Sequence, residues 1–352
     1  MGSARRTGIL AGMRSLHAVV LFFLCAGCSA LPLHPHIEEQ AVGLEQSFRG
    51  AAYGAGGRMW SSGSNGTVLH RGSGDDSWSR AAFPAASLDL RDIDVRRNGE
   101  LFAMAAGPGD ASVLYVSESL GAHWERVLSN PDAEGFFDSV AFDPSGHGML
   151  VGDPLAGAFT IFTSERGRTW TRVEPARSPE AADGEHAFAA SGSILIATDD
   201  DTFWFASGGS RARIWRTRDR GLTWFDAGAP DTGGTASAGW FGLGSDGRGT
   251  IVAVGGDYER PKEPSTAAVL RQSAGWVSFT LPGFRSAVAA VPELAGVWVA
   301  VGSDGADWSR DDGRSWQPLD LPGGHALAPA GPGALLVVGG PEQPHRVVRF
   351  DG

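Results

Sequence analysis

The chain has 352 residues, 29 basic and 40 acidic side chains, a formal net charge of −11 and a single lysine, Lys262. That balance excludes a surface built for non-specific nucleic-acid binding, which needs a basic face. It favours a partner with a basic patch, or serves solubility alone. The length suits one large all-β domain, and 51 Gly with 12 Trp suit many short strands joined by tight turns.

The N-terminus reads as a targeting segment. Basic residues end at Arg14, a short apolar core spans 16–24, and Cys25, Ala26, Gly27, Cys28, Ser29 and Ala30 follow. The apolar stretch is too short for a mature spanning helix. Residues 1–28 are therefore expected to be a signal peptide and 31–352 a single domain. Ala26-Gly27-Cys28 is similar to the end of a bacterial lipobox, although Leu24 stands one place further from Cys28 than the usual leucine. Two readings stay open: lipidation of Cys28, or ordinary cleavage after Ala30. Either gives an exported chain, periplasmic or held at a membrane by lipid. Both cysteines lie in this segment, so the mature body has no disulfide.

The body repeats a short phrase: a small hydroxyl residue, an acid two places on, Gly two places later, and Trp three after that. Thr217, Asp219, Gly221 and Trp224 form one copy, and Ser309, Asp311, Gly313 and Trp316 another. In 163–170 Glu165 takes the acid position, and in 117–124 Ser119 does; decayed copies end at Trp78 and Trp276. From Trp78 through Trp124, Trp170, Trp224 and Trp276 to Trp316 the steps are 46, 46, 54, 52 and 40 residues. Spacing of that size belongs to propeller blades. The acid caps amides of its own turn, the glycine supplies positive φ, and the tryptophan buries an apolar face beneath. These are structural tasks and none is catalysis.

Six blades follow in order over 47–81, 88–128, 136–173, 187–227, 236–281 and 284–321, the fifth with an insertion at 257–266. A seventh unit, 326–350, has no octet and no fourth strand. A propeller must close its ring or leave strand edges exposed, so the lead-in near 37–44 is expected to supply the missing outer strand. Near-continuous apolar runs such as 203–206, 251–254 and 297–301 suit central strands buried on both faces. The expected fold is an all-β, seven-bladed propeller of four-stranded antiparallel blades.

The octet matches the Asp-box (BNR) repeat of sialidases, sortilin-like receptors and propellers of the photosystem II stability/assembly factor-like family. Ser47-Phe48-Arg49-Gly50, Val151-Gly152-Asp153-Pro154, Gly256-Asp257-Tyr258 and Phe284-Arg285-Ser286 resemble segments of secreted bacterial members of that last family, over nearly all of 45–350. Such members are often labelled oxidoreductase or glycosyl hydrolase, while plant and cyanobacterial relatives act as assembly factors. The resemblance therefore implies partner binding, and the box itself implies only a fold.

Aligning the blades by their innermost strands puts Arg49, Arg91, Asp138, Ser191 and Arg285 at one place, the mouth of the channel. The loops between second and third strands bring Asp153, Asp257, Tyr258, Ser303 and Asp304 to the same face. Arg49, Arg91 and Arg285 are expected to cluster and to suit an anionic group; the alternative is a structural ring in which they pair with Asp92, Asp138 or Asp153. The expected ligand-binding set is Arg49, Arg91, Asp138, Asp153, Asp257, Tyr258 and Arg285. Asp199, Asp200 and Asp201 read as a solvated turn rather than a cation site. No metal spacing, phosphate loop or nucleophile elbow is present, so no cofactor or metal is expected.

Two functions compete. The first is a non-catalytic, exported, monomeric scaffold that binds a protein or a small anionic ligand. The second is a glycosidase like the sialidases, with Tyr258 as nucleophile, Glu185 as its base and Arg49, Arg91 and Arg285 on the substrate carboxylate. Growth with a labelled fatty acid is expected to label the wild-type chain and not Cys28→Ala. An unlabelled wild-type chain would remove lipidation and leave export standing.

Overall fold

The computed structural model describes residues 1–2, 33–271, 275–341 and 343–351. Cys28 and nearly all of the expected targeting segment lie outside the described residues. The body, His34–Asp351, is a seven-bladed β-propeller. Among the described residues the only helices are three single-turn 3-10 segments, and none is long and apolar enough to cross a membrane.

Blade one shows the pattern. Phe48–Gly54 is innermost, followed outward by Arg58–Gly63, Thr67–Arg71 and Ser79–Arg80, each antiparallel to its neighbour. Blades two, three, four and six repeat it, with inner strands Leu90–Val95, Phe137–Phe142, Leu195–Asp199 and Ala287–Ala290. Blade five starts at Ala238–Ser245, and its sheet is widened to six strands by two short pieces, Glu185–His186 and Gly208–Gly209. Blade seven has three strands of its own, Ala326–Pro329, Ala334–Val338 and His345–Asp351. Its fourth and outermost strand is His34–Gln40, in register from His34 opposite Asp351 to Gln40 opposite His345. The pairing segment begins earlier than 37–44; Val42 and Leu44 pack instead on the apolar core between blades one and seven.

The blades cohere by burying apolar faces against each other. Phe48, Met59 and Leu69 of blade one share a cluster with Leu336, Val338 and Val347 of blade seven. Equivalent clusters join blades one and two, two and three, three through five, and five and six. The central strands are therefore buried on both faces, which is why they read as unbroken apolar runs: Phe203 and Phe205 are fully buried and Trp204 nearly so.

The octets form the turns between third and fourth strands. Thr217 Oγ1 accepts from the Gly221 amide at 2.9 Å, while Asp219 accepts from the Thr223 amide at 2.8 Å and from its hydroxyl at 2.5 Å. Ser309, Gly313, Asp311 and Ser315 repeat this network. In 117–124 Ser119 Oγ does the acid's work, accepting the His123 amide at 2.8 Å. The turn needs two successive left-handed residues, Leu120-Gly121, Arg220-Gly221 and Asp312-Gly313. The blade-three copy differs from expectation. Ser164 rather than Thr163 caps the Gly167 amide, Gly167 has positive φ but Arg166 does not, and the turn is one residue shorter, so Glu165 is not its capping acid.

Deleting 34–40 would leave the whole His345–Asp351 edge unpaired. Thermal unfolding of that variant is expected to start several degrees lower and to lose its single cooperative transition. An unchanged melting curve would show that the added strand contributes nothing to the ring.

Candidate functional site

The site is built by a register irregularity that recurs from blade to blade. In blade one Phe48 faces Gly63 and Gly50 faces Ser62, which leaves Arg49 outside the ladder. The same one-residue bulge frees Arg91 between Leu90 and Asp92, Asp138 between Phe137 and Ser139, and Phe241 between Trp240 and Gly242. A bulged residue is unpaired and its side chain is re-aimed. Here the four are aimed into one cavity of about 510 Å³, which Ser286 of blade six and His325 of blade seven also line. Tyr258 and Ser303 reach it from the loops between second and third strands, and Asp153 from a register shift within blade three's second strand, Gly148–Leu155. Alternation of antiparallel strands puts this mouth on the face opposite the octet turns.

Arg285 is a correction to the expected set. Gly302, at the end of blade six's second strand, approaches the Phe284 carbonyl and Arg285 Cα, just as Gly152 approaches the Phe136 carbonyl and Phe137 Cα. Arg285 thus occupies the position of Phe48 and Phe137, inside the wedge, and Ser286 occupies the bulge. Its guanidinium is buried and pairs with Asp307, donating from Nε at 2.7 Å, and donates also to the Phe284 carbonyl. The three-arginine cluster is therefore two arginines, Arg49 and Arg91. Asp257 also stands apart from the cavity lining: against the opposing effect of burial, hydrogen bonds from Ser237 first, then Arg260 at 2.7 Å, the Glu259 amide and Thr235, hold its pKa down to about 2. Asp201, in the acidic turn 199–201, pairs with Arg220.

The other charged groups fall on two sides. Arg91 pairs with Asp89 at 2.7 Å and donates to the Ala189 carbonyl at 3.2 Å. Arg49 reaches only the Ala190 carbonyl, at 3.5 Å, and among the described residues has no carboxylate within ion-pair distance. Burial first, and Arg91 second, lower its pKa. His325 beside it is pushed down to about 4 by burial and by Arg49, so it is neutral at pH 7. Among the described residues no ion pair joins Arg49 or Arg91 to Asp92, Asp138 or Asp153, so the structural ring is not formed by these groups. On the acidic side Asp138 is 1% exposed, and among the described residues its Oδ2 has no hydrogen-bond partner. Burial and the neighbouring Asp153 raise its pKa well above the usual carboxylate range. Asp153 is itself raised by burial, with His186 at 3.7 Å and the Ala187 amide opposing that shift.

Aromatic residues form the third side, and sequence reasoning missed all but Tyr258. Phe188 stacks on Phe241 with centroids 4.3 Å apart, Phe284 meets Phe241 edge-on at 4.8 Å, and Tyr258 stands edge-on to both Phe188 and Phe241. The glycines at the ends of the second strands, Gly63, Gly152, Gly255 and Gly302, were the available signal, because each marks its blade's register.

The segment 187–193 before blade four's inner strand lies across the channel. Ala189 and Ala190 accept from blades two and one, the Gly192 carbonyl accepts from Ser139 at 2.6 Å, and Ser191 donates to the Ser286 carbonyl at 2.8 Å. Ser191, expected at the mouth, is spent on that last contact. Gly192 has φ of 73°, and a Cβ there would lie 2.1 Å from Asp92 Oδ1. Glu185 also departs from expectation: its carboxylate is held by Arg213, Ser207 and the Ala182 amide, not by Tyr258. The tyrosine–glutamate pair that the glycosidase requires is not formed.

No protein-family model matches the chain, and no curated protein does. Solved structures match in fold. YCF48 bound to a D1 peptide superposes with a TM-score of 0.59 at 14% identity, over 90% of this chain and 97% of that one. Virginiamycin B lyase from Staphylococcus aureus gives 0.59 at 12%, over 91% and 99%. A xyloglucanase from Xanthomonas campestris gives 0.57 at 16%, over 87% of this chain and 52% of its own. At such identities the likeness concerns the fold alone.

Asp92 generates a pH prediction. It is buried, accepts from Ser139 Oγ at 3.0 Å and from the Val140 amide at 2.9 Å, and burial pushes its pKa up to about 7. A carboxyl raised on folding contributes stability that is fully present below its unfolded pKa and lost as pH rises through the folded one. The melting temperature is expected to fall between about pH 4 and pH 7 and to level off above that. Asp92→Asn, which keeps an acceptor for both donors, should recover about 2–4 kcal/mol at the alkaline end. Equal pH slopes for wild type and variant would refute this.

Proposed function

We propose that the protein is an exported, non-catalytic propeller that binds a protein segment or a small anionic ligand at the mouth of its channel. The observation that carries this reading is Arg49: a cation aimed by its bulge into a concave cavity, held only by a carbonyl at 3.5 Å. A guanidinium so placed, with Arg91 beside it, suits an incoming carboxylate. A concave site with an aromatic wall and a few convergent polar groups is the usual form of a binding site. The fold neighbour YCF48, whose structure holds a D1 peptide, supports the idea that such a propeller takes a peptide segment. The missing Tyr258–Glu185 contact weighs against the glycosidase. Export, with lipid on Cys28, belongs to the same reading, and monomeric binding needs no partner copy.

Affinity capture from the envelope fraction, read by mass spectrometry, identifies the bound species. Arg49→Ala and Arg91→Ala are expected to weaken its binding at least about tenfold with little change in melting temperature. Arg285→Ala, which strands the buried Asp307, should cost roughly 3–5 kcal/mol of stability and leave binding intact in the folded fraction. Binding unaffected by either cavity arginine would overturn the assignment.

A further inference from the structure

The arginine side accounts for half of the cavity. Asp138 and Asp153 make the other half, and a ligand with only a negative end leaves them unused. Asp138 is 1% exposed and lines the cavity, and its Oδ2 lacks a hydrogen-bond partner among the described residues. Burying a polar oxygen without a partner is costly, so this atom is placed for a donor that comes from outside. Asp153 and the aromatic cluster of Phe188, Phe241 and Tyr258 line the same cavity. Carboxylates flanked by aromatic faces favour a cation through charge and through the ring quadrupoles.

We infer that the Asp138–Asp153 side is a subsite for a primary ammonium group, and that the ligand is a short zwitterion whose amine lies there while its carboxylate meets Arg49 and Arg91. This rests on the proposed ligand site and deepens it. The chemical class is a di- or tripeptide with a free N-terminus and an apolar first side chain against the aromatic wall, which a cavity of about 510 Å³ accommodates. Two carboxylates alone make a poor cage for a metal ion, and no third ligand joins them among the described residues.

The groups that face the pair are Arg91, which favours ionisation of Asp138, His186, which favours ionisation of Asp153, and the two carboxyls themselves, which oppose each other. Without a ligand, burial and mutual repulsion favour the protonated form of the pair. An arriving ammonium replaces that proton, which leaves to solvent, so binding is coupled to proton release and tightens as pH rises through the range in which the pair titrates.

The test is calorimetric titration of the purified full chain with three probes: phenylalanyl-alanine, its N-acetyl derivative and its C-terminal amide. The free dipeptide is expected to bind at least about tenfold more tightly than the acetylated one, and to release protons, read as a heat that varies with the ionisation enthalpy of the buffer. Asp138→Asn, which should fold with an unchanged or raised melting temperature, is expected to abolish both the preference for the free amine and the proton release. Asp153→Asn should reduce both. If the free and acetylated dipeptides bind alike, and Arg49→Ala weakens both, the cavity is a ligand site without a cation subsite and the inference falls alone. If none of the three probes binds at millimolar concentration, the inference falls together with the small-ligand form of the proposed site.

Discussion

One extra residue in the innermost strand of several blades governs what the channel mouth can be. The ladder on either side of it keeps large residues such as Phe48, Phe137 and Trp240 in the wedges between blades. The bulged residue is released from that duty, so it can be polar or charged and line the cavity instead of the apolar wedge. The facing strand must make room. A Cβ on Gly63, Gly152, Gly255 or Gly302 would come within 2.4 Å of a backbone carbonyl on the inner strand. Bulge and glycine are thus a single device, and side-chain variation at the bulge gives one scaffold an arginine, an aspartate, a phenylalanine or a serine around one opening.

The fold was legible because its signals are local. Each octet uses side chains within eight residues to satisfy its own turn, so the spacing of the tryptophans counts blades. The site was only partly legible, because its determinant is register, and register depends on which residues of two strands face each other. Reading Phe284-Arg285-Ser286 as the equivalent of Ser47-Phe48-Arg49 moves Arg285 by one place, and in a strand one place is the difference between wedge and channel. Counting back from Gly302 across the hairpin gives the right alignment, with Ser286 at the bulge. The aromatic side was hidden for another reason. Phe188 comes from a segment outside the regular ladder of its blade, and nothing in its spacing says that it stacks on Phe241 of the next blade.

That irregular segment is what makes a cavity out of an open channel. It reaches the inner strands of blades one, two, three and six through backbone carbonyls and one serine, and it passes Asp92 at a glycine because no side chain fits there. It supplies a floor of small residues, Ala187, Ala189 and Ala190, below the charged and aromatic walls. A floor of small residues leaves volume for an occupant, and its peptide groups carry the electrostatics that larger polar side chains would otherwise provide.

Ala189 shows how the two charged walls coexist without cancelling. Its carbonyl accepts from Arg91 at 3.2 Å, while its amide donates toward Asp138 and favours the ionised form there. Two successive peptide units that meet at Ala189 thus serve the acid with an amide and the cation with a carbonyl, and take the place of a direct Arg91–Asp138 ion pair. A direct pair would satisfy both groups and leave little for a ligand to gain. The peptide is a weaker partner than an opposite charge, so each wall keeps much of its capacity to bind one. Burial and the Asp138–Asp153 repulsion favour the protonated form of the acidic wall, and the basic wall meets the cost of burial with carbonyls and with Asp89 at its rim. The separation is geometric in origin: bulges in adjacent blades set Arg91 and Asp138 on neighbouring parts of the rim, and the crossing segment comes between them.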